Sequence, residues 1–442
     1  MKLQGYLLKS TVVAALGGLL FGFDTAVISG TTRGLTQAYS LTPGLLGVTV
    51  SSALAGTVIG ALFASVPGDR WGRRDSLRWM AVFYLVSALG SAFAWNWDAL
   101  VLARFIGGLG IGGSSVLAPM YIAEIAPAKW RGRLVGFFQF NVVGGILLAY
   151  LSNYLVGLAS LGPSEWRWKF GVAGFPAALF FAMLFTIPRS PRWLVKKGRL
   201  DEARAVLRLT GDPDYERDLQ DILHSLETGE AGGERLFSWK YRMPVFLAAS
   251  IGMFNQLEGI NAILYYLNDI FFKAGFGKVS GDLQAVAVGA TNLVFTMIAM
   301  SLIDKLGRKT LLLIGAVGNA ACLGGVSLIF SLHQHQDLLI WLLIAYIACF
   351  AFSQGAVIWV YIGEIFPTQV RAKGQSLGSF SHWIMNFAIS LVFPVMAARS
   401  GAWPFVFFTA MTVIQFFVVL FIYPETKGVT LEEMQHRLGI TT

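Results

Sequence analysis

Two ionisable side chains set inside long apolar runs are the residues most able to do chemistry in this 442-residue chain. Asp24 stands in 21-FGFDTAVISG-30, where the nearest charges along the chain are Lys9 and Arg33. Arg104 heads the glycine-rich stretch 104-RFIGGLGIG-112. A charge within a bilayer is costly and rare, and it marks a functional site by default. The other reactive types are thinly spread. Of the five histidines, His224, His333, His335, His382 and His436, only His382 falls in an apolar run, with no cysteine or paired carboxylate beside it in sequence. No nucleophile–base or metal-ligand spacing appears, which argues against an enzyme, a metal site or a bound cofactor.

The elements that carry these residues follow from composition. The chain is 55% hydrophobic, 14% aromatic and 13% charged, with mean hydropathy +0.62. An ordinary soluble domain carries roughly 25% charged residues, so there is too little charge here to clothe soluble domains of this length. The 49 glycines agree, since glycine is more frequent in membrane helices than in soluble ones. The only cysteines, Cys322 and Cys349, lie in apolar stretches, which excludes a disulfide scaffold or zinc ribbon. The net charge of +9 is not gathered into one patch, so no nucleic-acid partner is expected. The partner implied is the lipid bilayer.

A crossing helix needs about 20 mostly apolar residues, and the apolar runs supply about twelve such segments. They cover 7–30, 44–66, 76–97, 99–122, 134–157 and 167–187 in the first half, and 243–271, 282–303, 310–332, 337–363, 372–397 and 402–423 in the second. The fold class is therefore an all-α polytopic membrane protein. Its expected organisation is a six-helix bundle at 1–187, a charged helical linker at 188–242, a second bundle at 243–423 and a tail at 424–442. Lys and Arg favour the side holding the N-terminus, as with Lys9, Arg70, Arg74, Arg133, Lys309 and Lys373, over the side holding Arg33, Arg167, Lys278 and Arg399. That asymmetry puts both termini and the linker in the cytoplasm. Trp95, Trp97, Trp166, Trp168, Trp341 and Trp403 fall at the opposite ends, where an interfacial aromatic belt is expected.

The two halves are copies. Residues 121-YIAEIAPAKWRGR-133 align with 361-YIGEIFPTQVRAK-373 at an offset of 240, with six identities. The loops 69-DRWGRR-74 and 304-DKLGRK-309 match at an offset of 235, and Pro188 matches Pro424 at 236. A duplicated six-span unit is the plan of a transporter with alternating access, with its substrate site near the midplane between the copies. Gly72 and Gly307 allow tight turns in the repeated loops. Asp69, Arg73, Glu124 and Arg131, with their counterparts Asp304, Arg308, Glu364 and Arg371, form two expected cytoplasmic charge clusters that gate the protein by holding its halves together when the outside is open. Glu124 and Arg131 are seven residues apart and share a helix face if Pro127 leaves the helix unbroken, and Glu364 and Arg371 repeat the spacing.

Over essentially its whole length the chain resembles the sugar porter family of the major facilitator superfamily. The resemblance rests on 68-GDRWGRR-74, 104-RFIGGLGIG-112, 188-PRSPRW-193, 255-NQLEGINAILYY-266, 304-DKLGRK-309 and 424-PETKG-428. Members of that superfamily are built from nested repeats of this kind. The resemblance implies that Gln139, Gln256, Asn261, Tyr265, Asn292, Trp359, Trp383 and Asn386 bind a monosaccharide such as D-xylose or D-glucose, and that the carrier is a monomer in a plasma membrane of the bacterial inner-membrane kind. The chemistry agrees, because a neutral polyol is served by amides that both donate and accept and by aromatic faces. Gln256 and Asn261, five residues apart, share a helix face only approximately, so a local unwinding near Gly259 is expected.

The chain also departs from the family pattern. Asn255 and His382 stand where glutamine is usual, Glu258 where a small residue is usual, Ile146 where many members have glutamine, and Arg189 where the acid of Pro-Glu-Ser-Pro-Arg is usual. Phe21, Asn255, Glu258 and His382 are secondary pocket candidates. Glu258 is read as an idle acid facing a polar crevice in preference to a second titratable group. The resemblance further pairs Asp24 with Arg104 for proton coupling, whereas passive facilitators have an amide at the acid's position. A carboxylate is favoured ionised beside a guanidinium and protonated in apolar surroundings without it. A changing separation would load and release one proton per cycle. The rival readings are a proton-independent sugar uniporter of the same fold and, further off, a sugar sensor.

Overall fold

The computed structural model describes residues 5–210, 215–228, 235–367, 369–429 and 431–440. Among the expected site residues, only the side chain of Asp304 lies outside that description. Helices are the sole regular elements among the described residues. Nine of those described are long and apolar enough to cross a bilayer. The remaining expected segments are helical but charged or interrupted. Arg73–Ala92 begins with Arg73, Arg74, Asp75 and Arg78. The sixth segment is split into Glu165–Val172 and Gly174–Met183. The seventh is split into Arg242–Leu257, Ile260–Tyr265 and Leu267–Lys273. Helix dominates because only closed intrahelical hydrogen bonding satisfies the backbone in hydrocarbon.

By contacts the described chain forms two compact units, and these cut across the sequence halves. The first comprises Met1–Thr25, Ala55–Ala149 and Trp166–Gly232. Its core gathers Leu117, Tyr121, Ile122, Ala177 and Phe180. The first helix, Gly5–Val27, and Ala128–Leu158 approach closely because glycines face backbone: a Cβ on Gly22 would overlap the Val142 carbonyl, and one on Gly145 that of Leu19. Small residues permit such close helix packing in membranes, and here it fixes the helix that carries Asp24. The linker helices Pro191–Lys196, Leu200–Thr210 and Tyr215–Thr228 close their own small core around Trp193, Leu194, Leu207 and Leu219.

The second unit comprises Ala26–Leu54, Tyr150–Glu165 and Gly233–Thr442. Segments from the first half belong to it because they bond to the second. Ser29 Oγ donates to Asn268 Oδ1 at 2.5 Å, Tyr150 Oη donates to the Leu264 carbonyl at 2.8 Å, and Lys278 pairs with Glu165. The Arg33 guanidinium lies 3.6 Å from the centre of the Phe272 ring. Trp95, Trp168, Trp341 and Trp403 are exposed, as a belt requires, but Trp166 is buried edge-on against Phe170. Its place in the expected belt is therefore a misreading, since a polar–apolar boundary in sequence does not say which side of a helix faces outward.

The duplication is repeated in three dimensions. Gly72 and Gly307 adopt φ values of 93° and 92°, which a side chain would strain. Tyr121 Oη donates to the Pro188 carbonyl at 2.8 Å, and Tyr361 Oη to that of Pro424 at 3.2 Å. In the second copy the carboxylate of Glu425 accepts from the backbone N–H groups of Arg308, Lys309, Thr426 and Lys427, at 2.9, 3.1, 2.9 and 2.9 Å. Partial burial disfavours its charge, but the four N–H donors outweigh that and hold its pKa below the usual glutamate value. A depressed folded pKa means stability present above the unfolded pKa and lost as pH falls through the folded one. The protection factors of the Arg308 and Lys309 amides, taken relative to the unfolded chain at the same pH, should therefore fall as pH drops below about 4. Glu425→Ala should cost about fivefold in protection at neutral pH, the size of a lost helix cap of about 1 kcal/mol. Equal protection in both proteins would remove the capping role.

Candidate functional site

Inside the first unit Asp24 and Arg104 meet. Arg104 Nη1 donates to Asp24 Oδ1 at 2.6 Å, with the arginine side chain 3% exposed and the aspartate 13%. The guanidinium carbon lies 5.4 Å from the Phe170 ring centre, a second favourable contact for the cation. Asp24 Oδ2 and Arg104 Nε have no hydrogen-bond partner among the described residues. The pair is thus held by one end of each group and lacks the two-bond fork that makes arginine–carboxylate pairs strongest. Phe21 and Gln139 are half-buried in the same unit.

In the second unit most of the expected sugar ligands converge on the broken seventh segment. Arg242–Leu257 stops where Gly259 takes φ 88°, and Ile260–Tyr265 restarts with the Ile263 N–H on the Gly259 carbonyl at 2.8 Å. A Cβ at Gly259 would collide with the Phe408 ring as well as being strained. The expected unwinding is therefore present. It turns the two amides towards each other, and Asn261 Nδ2 donates to Gln256 Oε1 at 3.0 Å. Gln256 Nε2 donates to Asn255 Oδ1 at 2.9 Å and lies 3.3 Å from His382 Nδ1. His382 in turn lies against Trp359 at 5.3 Å and edge-on to Trp383 at 5.0 Å between ring centres. Further along, Asn386 Nδ2 donates to the Tyr265 hydroxyl at 3.1 Å. Asn292 is buried on Lys278–Leu306.

Two expected arrangements are corrected. Glu124 and Arg131 do not share a helix face, because Trp97–Ile125 ends at Ala126 in extended conformation before Pro127. The base that meets Glu124 is Arg73 at 2.9 Å, while Arg73 also holds Asp69 at 2.9 Å and Ser190 donates to Glu124. Arg131 donates to the Ala123 and Ala126 carbonyls. The second copy repeats this, with Glu364 meeting Arg308 at 2.8 Å and accepting from Thr426, and Arg371 donating to the Phe366 carbonyl. Proline and the extended residue before it decide the partner, which spacing alone misassigns. The second correction concerns Glu258. It faces no open crevice; it is 0% exposed and accepts from Asn319.

The family profile described as "Sugar (and other) transporter" matches residues 10–438. The chain belongs to this family. It is 37% identical to the D-xylose-proton symporter of Escherichia coli K12 over 470 residues, covering 98% of this chain and 96% of that protein. It is equally 37% identical to the arabinose-proton symporter of Bacillus subtilis 168, covering 98% and 95%. Among solved structures, the inward open conformation of the E. coli xylose transporter superposes with a TM-score of 0.88 at 35% identity, covering 98% and 100%. The same proton:xylose symporter bound to 6-bromo-6-deoxy-D-glucose superposes with a TM-score of 0.80 at 36% identity, covering 98% and 99%. This sugar transporter is thus an all-α polytopic protein of the major facilitator fold.

Sequence reasoning missed several residues of the transporter's polar interior. Gln354 accepts from Asn255 Nδ2 at 3.5 Å, and Asn319 and Gln415 sit at the Glu258 carboxyl. Each is a lone amide in an apolar run, and that was the available signal. Asn268, which bonds Ser29 and donates to Asp282, lies just past the quoted motif.

Proposed function

We propose that this member of the sugar transporter family moves a monosaccharide by alternating access of its duplicated six-helix scaffold, with one proton carried by Asp24 in symport. The carrying observation is the single 2.6 Å hydrogen bond between the largely buried Arg104 and Asp24. When the guanidinium withdraws, the carboxylate loses its counter-charge and takes a proton, because a bare buried carboxylate is far costlier than a neutral acid. The proton leaves when the pair re-forms. Relatives named for D-xylose and arabinose symport with protons support this reading.

The sugar is assigned to Gln256, Asn261, Tyr265, Trp359, Trp383 and Asn386, with Asn292, Asn255 and His382 of the same unit as further contributors. Amide hydrogen bonds match the donor and acceptor character of a sugar hydroxyl, and the tryptophan faces match its C–H surface. In this proposal both termini and the linker are cytoplasmic and the carrier acts as a monomer. The Arg73–Glu124 and Arg308–Glu364 clusters brace each copy at that surface. Counterflow in proteoliposomes, using labelled D-xylose, L-arabinose and D-glucose, is the test. One or more of these sugars should exchange, and adding it outside de-energised vesicles should alkalinise the medium. Exchange without alkalinisation would make the protein a uniporter.

A further inference from the structure

A second acid, unused by the mechanism above, lies deep in the second unit. Glu258 is fully buried at the break in the seventh segment, and no lysine, arginine or histidine forms an ion pair with it among the described residues. Its polar neighbours are neutral amides. Asn319 donates to Oε2, and the side chains of Gln415 and Gln354 lie at the carboxyl. Glu258 Oε1, Asn319 Oδ1 and both polar atoms of Gln415 have no partner of good hydrogen-bond geometry. An ionised carboxylate can only accept, and it would leave those amide oxygens without a donor in a medium that cannot solvate them. A single proton on Oε1 removes the charge and supplies an O–H donor for one of the orphaned amide oxygens. A metal cation fits less well, because one carboxyl and two amide oxygens fall short of a hard cation's usual oxygen shell.

The acid is also wired to the sugar amides. Gln354, at the Glu258 carboxyl, accepts from Asn255, which accepts from Gln256, which accepts from Asn261. The Glu258 backbone carbonyl is held by the Tyr346 hydroxyl at 2.9 Å. The titratable side chains nearest it are Tyr346, Cys322 with Cys349, and His382 on the Gln256 side, while Arg308, Lys309 and Glu364 stand at the far ends of the helices that carry Asn319 and Gln354. We propose that Glu258 is a second proton-binding site of the membrane interior, occupied as the neutral acid, and that this proton holds the amide chain in its sugar-binding arrangement. When it is lost, the O–H bond breaks, the proton passes to water, and the carboxylate pulls amide N–H groups towards itself at the expense of the chain ending at Gln256. Glu258 is then a positioning residue, distinct from the coupling acid Asp24.

This inference rests on the sugar-site reading, so one arm of its test is independent of transport. Infrared difference spectra of the purified protein at neutral pH should contain a protonated-carboxyl band that disappears in Glu258→Gln and persists in Asp24→Asn. The second arm uses the Asp24→Asn background, where coupling is removed. D-xylose counterflow there should still fall on alkalinisation, by up to about tenfold per pH unit, the limit for one titrating proton. The fall should be absent in Asp24→Asn/Glu258→Gln and retained in Asp24→Asn/His382→Gln. A missing infrared band, or the same alkaline loss with and without Glu258, overturns the proposal. So does a band and profile that respond to sodium, with choline as control, because the occupant would then be a metal ion. Absence of counterflow in every variant with the band intact would instead count against the sugar-site reading alone.

Discussion

Asp24→Asn should abolish uphill accumulation while leaving exchange intact. In proteoliposomes with an acid outside, one proton per sugar can drive about a tenfold accumulation per pH unit, since one pH unit is worth about 1.36 kcal/mol. The variant should reach a plateau equal to the outside concentration. The reason is local: asparagine keeps the shape and a hydrogen-bond acceptor for Arg104 Nη1, now 2.6 Å from the carboxylate, but has no proton to carry. Counterflow, which needs only the sugar site and the conformational cycle, should proceed. Arg104→Ala should be harsher, because it strands a carboxylate that is 13% exposed without its only ion-pair partner among the described residues. Undiminished accumulation by Asp24→Asn would place the coupling proton elsewhere, and Glu258 would be the next candidate.

The second large effect is expected at Gln256. Its amide is bonded on both sides, accepting from Asn261 at 3.0 Å and donating to Asn255 at 2.9 Å, with His382 also in reach. Gln256→Ala removes a proposed sugar ligand and leaves those neighbours with unmatched polar groups. Each buried group so stranded costs about 1–3 kcal/mol, and the sugar Kd should rise by roughly 10- to 100-fold. Calorimetric titration of the purified protein measures it directly, and quenching of Trp359 and Trp383 fluorescence gives an independent readout. Gln415→Leu, which alters the Glu258 cluster and leaves the bonds of Gln256 to Asn255 and Asn261 in place, should produce the smaller effect. A Kd for Gln256→Ala within twofold of wild type would dismiss this glutamine as a ligand.

Much of this protein was legible in its residue order. The scarcity of charge allowed only a membrane protein, and the matched segments at 121–133 and 361–373 disclosed the duplication. Gly259 between Gln256 and Asn261 announced the break that the seventh segment makes. The repeated glycines 72 and 307 announced turns that both adopt positive φ. These features are local. Span length, helix interruption and turn conformation depend on a few neighbouring residues and on the cost of placing them in hydrocarbon, so the chain encodes them in short stretches.

Partner choice is different, because it depends on distances between helices remote in sequence. Spacing paired Glu124 with Arg131, but the chain straightens at Ala126 and the acid meets Arg73 across the unit. Trp166 looked interfacial and is buried. Glu258 was expected at a polar crevice and is enclosed by Asn319, Gln354 and Gln415 from three other helices. Composition, periodicity and repetition thus determined the class, the doubled plan and the residue types available for chemistry. Only tertiary packing decided which acid faces a guanidinium and which faces amides, because a buried charge is governed by the few groups within a few ångströms of it, and those arrive from elsewhere in the chain.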